Sequence, residues 1–249
     1  MSLIDSLRQH TGNLLIGGHQ GHISSSARQN TIRNFEQIHA VGLSHIEVDL
    51  QLTKDHEIVL YHDVDLSAQS PLRGQVRDYT ANQLKDAFEI DTLEDVLCWC
   101  VSHNLPPALE IKCDLLTMSE GMPVLAERLA EILNRHSLGG FGFVFSANYQ
   151  TLYQVKRLAP ETVLGLIVPF VPRNPLRLME EMQADIYLCY IDNLNSELVA
   201  ALHRGGYYVD GSVINSEKRL QLAMELKIDL IETDDPVKMI ELYRRHQKS

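Results

Sequence analysis

His45-Ile-Glu47-Val-Asp49-Leu-Gln-Leu-Thr53 followed by Lys54-Asp-His-Glu57-Ile-Val-Leu-Tyr-His62-Asp63 places two apolar runs on either side of a few polar residues. Thr53 to His56 is too short for a crossover helix, so the runs are expected to pair antiparallel as a hairpin. With Lys54-Asp55 as a two-residue turn, paired positions sum to 109, which sets Glu47 opposite His62 and Asp49 opposite Leu60. The first run alternates strictly. A strand sends residues two apart to the same side, so Glu47 and Asp49 project together from a segment otherwise suited to a core.

Similar runs extend in both directions: Leu14 to Gly17, Pro107 to Lys112, Phe143 to Ser146, Val163 to Val168, Asp185 to Tyr190, Tyr207 to Val213 and Asp229 to Thr233. Helical stretches separate most of them, at Thr31 to Val41, Thr92 to Ser102, Pro123 to Arg135, Tyr149 to Leu158, Ser196 to His203 and Ser216 to Leu226. Thr92 and Ser216 offer side-chain oxygens to the free N–H groups of a first helical turn. Alternation of this kind predicts a parallel sheet. Setting aside the second arm of the hairpin leaves eight strands. The expected fold is therefore a TIM (β/α)8 barrel with an antiparallel hairpin extension after the second strand. No repeat, linker or charge block interrupts the pattern, so residues 1–249 read as a single TIM-barrel domain. Ser67 to Lys85 reads as a surface excursion rather than a second core.

The 249 residues are 45% hydrophobic and 22% charged, with 22 basic against 33 acidic side chains and a net charge of −11. A surface of that sign repels phosphate backbones and anionic headgroups at long range, so nucleic acid is not an expected partner. An anionic small molecule would need local neutralisation, such as a bound cation. The N-terminal sequence has no apolar leader core, and no run reaches the ~18 apolar residues of a membrane span. A cytoplasmic protein without stable membrane insertion is expected. Cys98, Cys100, Cys113 and Cys189 lack metal-binding or disulfide spacing and read as free thiols.

Glu47, Asp49 and Glu110 are three acids on neighbouring strand candidates, with Lys112 on the same face as Glu110. Crowded carboxylates either retain a proton or bind a cation; ordinary ion pairs such as Glu110 with Lys112 are the plainer alternative. His19 follows the first strand and His62 ends the hairpin. Both fall near the strand C-terminal ends, the face where barrel enzymes place their chemistry, and an imidazole there can exchange a proton near neutral pH. His22 stands close to His19 with no clear assignment.

Gly18-His19-Gln20-Gly21, Asn30-Thr31, Ile46 to Asp63, Leu109-Glu-Ile-Lys112 and Thr233-Asp-Asp-Pro236 together resemble the glycerophosphodiester phosphodiesterase family, over Ile16 to Pro236. The resemblance implies a metal-dependent phosphoric diester hydrolase acting on a small-molecule substrate. It would release sn-glycerol 3-phosphate and an alcohol, directly or through a cyclic phosphate. It implies one divalent cation on Glu47, Asp49 and Glu110, His19 and His62 as acid and base, and Lys112 on the phosphate. Oxygen ligands suit Mg2+ or Ca2+.

The substrate shell departs from the family pattern. Gln20, expected on the substrate, stands where an arginine is usual, and Gln29 where a glutamate is usual. Gln69 closes a segment that has lost another arginine, Ala147 replaces a phenylalanine, and Gly211-Ser212-Val213-Ile214 replaces a tryptophan-bearing wall. These departures are compatible with a different diester, such as a lysophospholipid, or with a catalytically weakened barrel that binds a metal and an anion. A zinc hydrolase using His19 and His22 is a further alternative, though such sites favour imidazole-rich shells. Leu115 to Pro123 reads as an ordinary loop or as a lid over an apolar tail.

Overall fold

The computed structural model describes Leu3, Leu7 and residues 13–21, 28–112 and 122–247. Strands β1 (Leu15–Gly18), β2 (His45–Leu52), β3 (Ile58–Leu60), β4 (Pro107–Ile111), β5 (Phe143–Ser146), β6 (Leu164–Ile167), β7 (Ile186–Leu188), β8 (Tyr208–Asp210) and β9 (Leu230–Thr233) form one sheet. All except β3 are parallel to their neighbours, and β1 pairs with both β9 and β2, which closes the eight-stranded barrel. Helices α1 (Ile32–Ile38), α2 (Ala81–Ala87), α3 (Leu93–His103), α4 (Met122–Arg135), α5 (Tyr149–Leu158), α6 (Pro175–Met182), α7 (Ser196–Arg204), α8 (Glu217–Leu226) and α9 (Pro236–His246) connect or follow them. No described helix is long and apolar enough to cross a membrane.

The hairpin forms one residue out of the expected register. Leu50 pairs with Leu60, Gln51 with Val59 and Leu52 with Ile58, so the paired positions sum to 110. The turn holds three residues because Thr53 N–H donates to Glu57 O and Thr53 Oγ1 accepts from Glu57 N–H, while His56 takes a left-handed φ of 63°. A one-residue slip exchanges the faces of a strand. Tyr61, whose N–H donates to Asp49 O at 3.0 Å, therefore stands where Leu60 was expected, and His62 does not oppose Glu47.

Ser67 to Lys85 also differs from expectation. Val59 and Tyr61 lie on the side of β3 away from the barrel and need a cover. Leu66, Val76, Ala81, Leu84 and Ile90 supply it, forming a small apolar core of their own. Tyr61 Oη donates to Leu66 O at 3.0 Å, and Thr80 with Gln83 caps α2 reciprocally. The sequence reading also omitted α6 and α9, which begin with Pro175 and Pro236. Proline breaks a helix interior but suits its first turn, where Asn174 and Asp235 accept the free N–H groups of Arg177 and Lys238. Thr92 and Ser216 cap as expected, accepting from Asp95 and Arg219.

Alternation divides the strands between two cores. Ile46, Val48 and Leu50 pack outward under the helices, whereas Leu15, Ala108, Phe143, Ile186 and Leu230 fill the lower barrel above Leu3 and Leu7. Above that plug the interior is two-sided. Phe145 and Leu188 line the β5 to β7 half, while Asp210, Glu232, His45 and Glu47 line the half made by β8, β9, β1 and β2.

Candidate active site

Strand pairing decides which acids meet. β2 and β4 run parallel with Glu47 beside Ala108 and Asp49 beside Glu110, so the three carboxylates occupy one corner at the C-terminal ends of the strands. One oxygen from each lies within 4.8 Å of the others. Glu47 and Asp49 are buried, and Glu110 is partly exposed. Lys112 Nζ stands 3.3 Å from Asp49 Oδ1 and 3.2 Å from Glu110 Oε1. The plainer expectation of a Glu110–Lys112 ion pair is thus met as well, within the same cluster.

The acids are held on one oxygen and left open on the other. Gln20 N–H donates to Glu47 Oε2 at 2.8 Å, while Glu47 Oε1 is buried with no hydrogen-bond partner. Asn30 grips Asp49 twice: its Nδ2 donates to Asp49 Oδ2 at 2.7 Å and its Oδ1 accepts from Asp49 N–H at 3.0 Å. Asp49 Oδ1 has Lys112 nearby but makes no hydrogen bond. Buried carboxylate oxygens are normally satisfied, so the unpartnered Glu47 Oε1, with Asp49 Oδ1 held only by the Lys112 ammonium and carboxylate oxygens of all three acids within 4.8 Å of one another, fits a cation. Burial, then the charges of Asp49 and Glu110, hold the Glu47 carboxyl well above the usual range. Burial raises Glu110 as well, with Lys112 pulling it back. Burial works against charge on Lys112, but Asp49 and Glu110 hold its ammonium above the ordinary lysine value.

Each of the two histidines has a carboxylate on Nδ1. His19 Nδ1 lies 2.6 Å from Asp234 Oδ1, and its Nε2 lies 3.9 Å from Glu47 Oε2. Asp234 is itself positioned: Asn215 Nδ2 donates to its Oδ2 at 2.6 Å, and Asn215 Oδ1 accepts from its N–H at 2.9 Å. His62 Nδ1 lies 3.0 Å from Asp63 Oδ1, and Gln69 Nε2 donates to Asp63 Oδ2 at 2.9 Å. A carboxylate only accepts, so Nδ1 carries the proton in both rings and Nε2 is left to face other groups. Burial disfavours charge on His19, yet the hydrogen bond and charge of Asp234, with Asp49 and Glu232 beyond, raise its pKa above the ordinary histidine value. His62 is partly exposed, and among the described residues no hydrogen bond or ion pair joins it to the three acids.

Gln20 contributes through its main chain. It adopts a left-handed φ of 53°, is 4% exposed, and its carbonyl accepts from Asn30 N–H at 2.9 Å. The Glu47 and Asp49 supports are thereby joined. His22 and all of Leu115 to Gly121 lie outside the described residues.

Beneath the cluster lies a second polar group, missed in the sequence reading. His45 Nε2 is 3.1 Å from Glu232 Oε1, and Ser44 Oγ is 2.8 Å from His45 Nδ1. Ser212 Oγ donates to Asp210 Oδ1 at 2.6 Å and accepts from Glu232 N–H at 2.5 Å. The His45 ring lies against Gly17, where a Cβ would overlap it. Burial pushes the His45 pKa down to about 4, and burial followed by the Glu232 charge holds Asp210 well above the carboxylate range. Acids in the apolar strands Tyr208–Asp210 and Leu230–Thr233 were the available signal. Asn30 and Asp234 were visible within motifs, but a positioning role follows only from contact.

A cavity of about 320 Å³ opens over the cluster. His19, Glu47, Glu110 and Glu232 line one side; Phe145, Ile167, Leu188 and Val213 line the other. Ala147 and Ser212 also border it. A Cβ on Gly211 would point toward Ile191 and Ile228, so Ser212 and Val213, rather than Gly211, face the cavity.

The model of the Glycerophosphoryl diester phosphodiesterase family matches residues 19–238. A glycerophosphodiester phosphodiesterase of Caldanaerobacter subterraneus is 26% identical over 243 residues, covering 93% of this chain and 98% of the relative. One from Bacillus altitudinis is 26% identical over 228 residues, covering 86% and 92%. Among solved structures, an Oleispira antarctica phosphodiesterase in complex with the product sn-glycerol-3-phosphate superposes with a TM-score of 0.83 at 21% identity, covering 92% of this chain and 96% of that one.

Proposed function

The chain belongs to the glycerophosphoryl diester phosphodiesterase family and is a phosphoric diester hydrolase, and on that premise we propose that it cleaves glycerophosphodiesters to sn-glycerol 3-phosphate and an alcohol with the help of one divalent cation. The observation that carries the reading is the cluster of Glu47, Asp49 and Glu110, in which Glu47 Oε1 is buried without a partner and Asp49 Oδ1 is held only by the Lys112 ammonium, within reach of His19. Glu47, Asp49 and Glu110 would hold the cation. Three hard oxygen donors favour Mg2+ or Ca2+ over zinc. Such an ion, when bound, supplies positive charge against phosphoryl oxygens as negative charge builds there.

The chain's own residues do the rest. The Lys112 ammonium adds a second positive charge on the phosphate side. One histidine accepts, at Nε2, the proton of the attacking hydroxyl as its oxygen bonds to phosphorus; the other donates its Nε2 proton to the alkoxide as the old P–O bond breaks. Asp234 and Asp63 fix the Nδ1 tautomer of His19 and His62 and so aim Nε2 at these tasks. Gln20 steadies Glu47 through its amide, and the Phe145 side of the cavity keeps water from part of the substrate. The described elements build one barrel, which supports reading residues 1–249 as one domain.

The test is enzyme-coupled detection of glycerol 3-phosphate from a panel of glycerophosphodiesters, with Mg2+, Ca2+ or EDTA. Cation-dependent release, lost in Glu47→Gln and His19→Ala, is the expected result. Calorimetric cation binding without turnover of any diester would defeat it.

A further inference from the structure

A second cavity, of about 560 Å³, opens at the other end of the barrel, where β8, β9 and β1 begin. It is larger than the 320 Å³ space over the acids and has the size of a small-molecule site. α7, α8 and α9 contribute His203, Met224 and Tyr243 to its walls, and the turns into β8 and β9 contribute Tyr207 and Lys227. Gly206 also borders it, and a Cβ there would meet nothing within 4 Å, so the neighbouring side chains leave this space unfilled.

The polar lining is weighted toward donors. Lys227 makes no ion pair or side-chain hydrogen bond among the described residues. His203 Nε2 lies 2.8 Å from Asp229 Oδ2, an oxygen that also accepts from Val209 N–H at 2.8 Å. The Asp229 hydrogen bond raises the His203 pKa above its ordinary value, against partial burial and the Lys227 charge. Two basic side chains on this cavity therefore have one carboxylate between them, in a chain where 33 acidic residues outnumber 22 basic ones. Leu14 N–H donates to Tyr243 Oη at 2.9 Å, which leaves that hydroxyl its own proton to give. Tyr207 and Met224, both half-buried, add apolar surface beside these donors.

We infer that this cavity is a second ligand site, taking a small organic anion whose carboxylate or phosphate monoester group meets Lys227 and His203 and whose apolar or aromatic body lies on Tyr207 and Met224. Charge-assisted hydrogen bonds strengthen where water is partly excluded, so a recessed ammonium and imidazole hold an anion better than the same groups on an open surface. Both parts of the ligand are required. A bare ion leaves the aromatic wall wet, and a neutral apolar molecule leaves Lys227 without a counter-charge. The site stands apart from the acid cluster at the opposite strand ends and does not depend on the hydrolase reading.

The test is calorimetric titration of the full chain in EDTA with phenylacetate and with phenyl phosphate, beside benzyl alcohol and inorganic phosphate as the body and the anion alone. Amide shifts in NMR spectra locate any binding. One or both phenyl anions are expected to bind at least tenfold tighter than either control, with shifts at residues 203–208 and 224–229. Lys227→Met should weaken that binding about tenfold, the size expected for a hydrogen bond to a charged group. Met224→Trp, which fills the recess, should abolish it. A merely structural lysine would lower the melting temperature on substitution and leave affinity unchanged, which would overturn the inference. So would benzyl alcohol or inorganic phosphate binding as tightly as the phenyl anions, shifts confined to the acid-bearing strand ends, or no binding of either anion.

Discussion

Replacing Glu47 by glutamine should stabilise the cation-free protein and destabilise the cation-loaded one, reversing the order of the two melting temperatures. Glu47 presents a buried carboxylate whose Oε1 has no partner, with oxygens of Asp49 and Glu110 within 4.8 Å. At an effective dielectric of 20, two unit charges at that distance repel by roughly 3 kcal/mol. Lys112 and partial proton uptake by the raised carboxyls relieve much of this, leaving about 1–2 kcal/mol for a neutral amide to recover. The Gln20 amide keeps an acceptor, since the glutamine carbonyl oxygen replaces Oε2. A chain of this size shifts by roughly 2–4 °C per kcal/mol, so apo Glu47→Gln should melt a few degrees above wild type. At a cation concentration of 100 Kd the wild type gains about 2.7 kcal/mol, whereas the variant, lacking one ligand charge, gains little. Differential scanning calorimetry in EDTA and in saturating Mg2+ or Ca2+ reads both effects. An apo variant less stable than wild type, or equal gains from the cation in both proteins, would refute the reasoning.

Asn30→Leu removes both hydrogen bonds to Asp49 and should weaken cation affinity by about 10–100-fold, measured calorimetrically, because outer groups that orient ligands carry effects of that size. Gly17→Ala should cost about 1–3 kcal/mol in chemical denaturation, since the new methyl overlaps the His45 ring in a packed barrel interior. His203, hydrogen-bonded to Asp229 at 2.8 Å, has a raised pKa through that bond, despite partial burial. Its contribution is therefore present in full below the unfolded value of about 6.5 and fades as pH rises through the folded value. The stability difference between wild type and His203→Gln should shrink from pH 6 to pH 9. It should stay under about 1 kcal/mol for so exposed a pair, and a difference that grows with pH would contradict this assignment.

The barrel was legible because its parallel strands are buried on both sides and appear as recurrent Val, Ile and Leu runs spaced by helices. The acids were legible for the opposite reason: Glu47 and Asp49 interrupt such a run at a period of two. Turn length was not. Thr53-Lys54-Asp55-His56 permits a two- or a three-residue loop, and the Thr53 hydroxyl bonding Glu57 N–H selects the longer one. The small core around Tyr61 was also hidden, since Leu66, Val76 and Leu84 are scattered among polar residues and acquire a common face only when β3 needs a cover.

By itself the sequence determined the fold class and that Glu47, Asp49 and Glu110 stand on strand faces with His19 and His62 beyond strand ends, since local alternation and spacing encode which residues share a strand face. Only the tertiary structure decided how they are held. Asn30 on Asp49, Asp234 on His19 and His45 on Glu232 join positions 19, 215 and 187 residues apart. The two-sided cavity is likewise a property of the closed barrel. Which oxygen is left open and which wall is apolar depend on distances across that barrel, and no local pattern in a single chain specifies a distance between segments that meet only when the barrel closes.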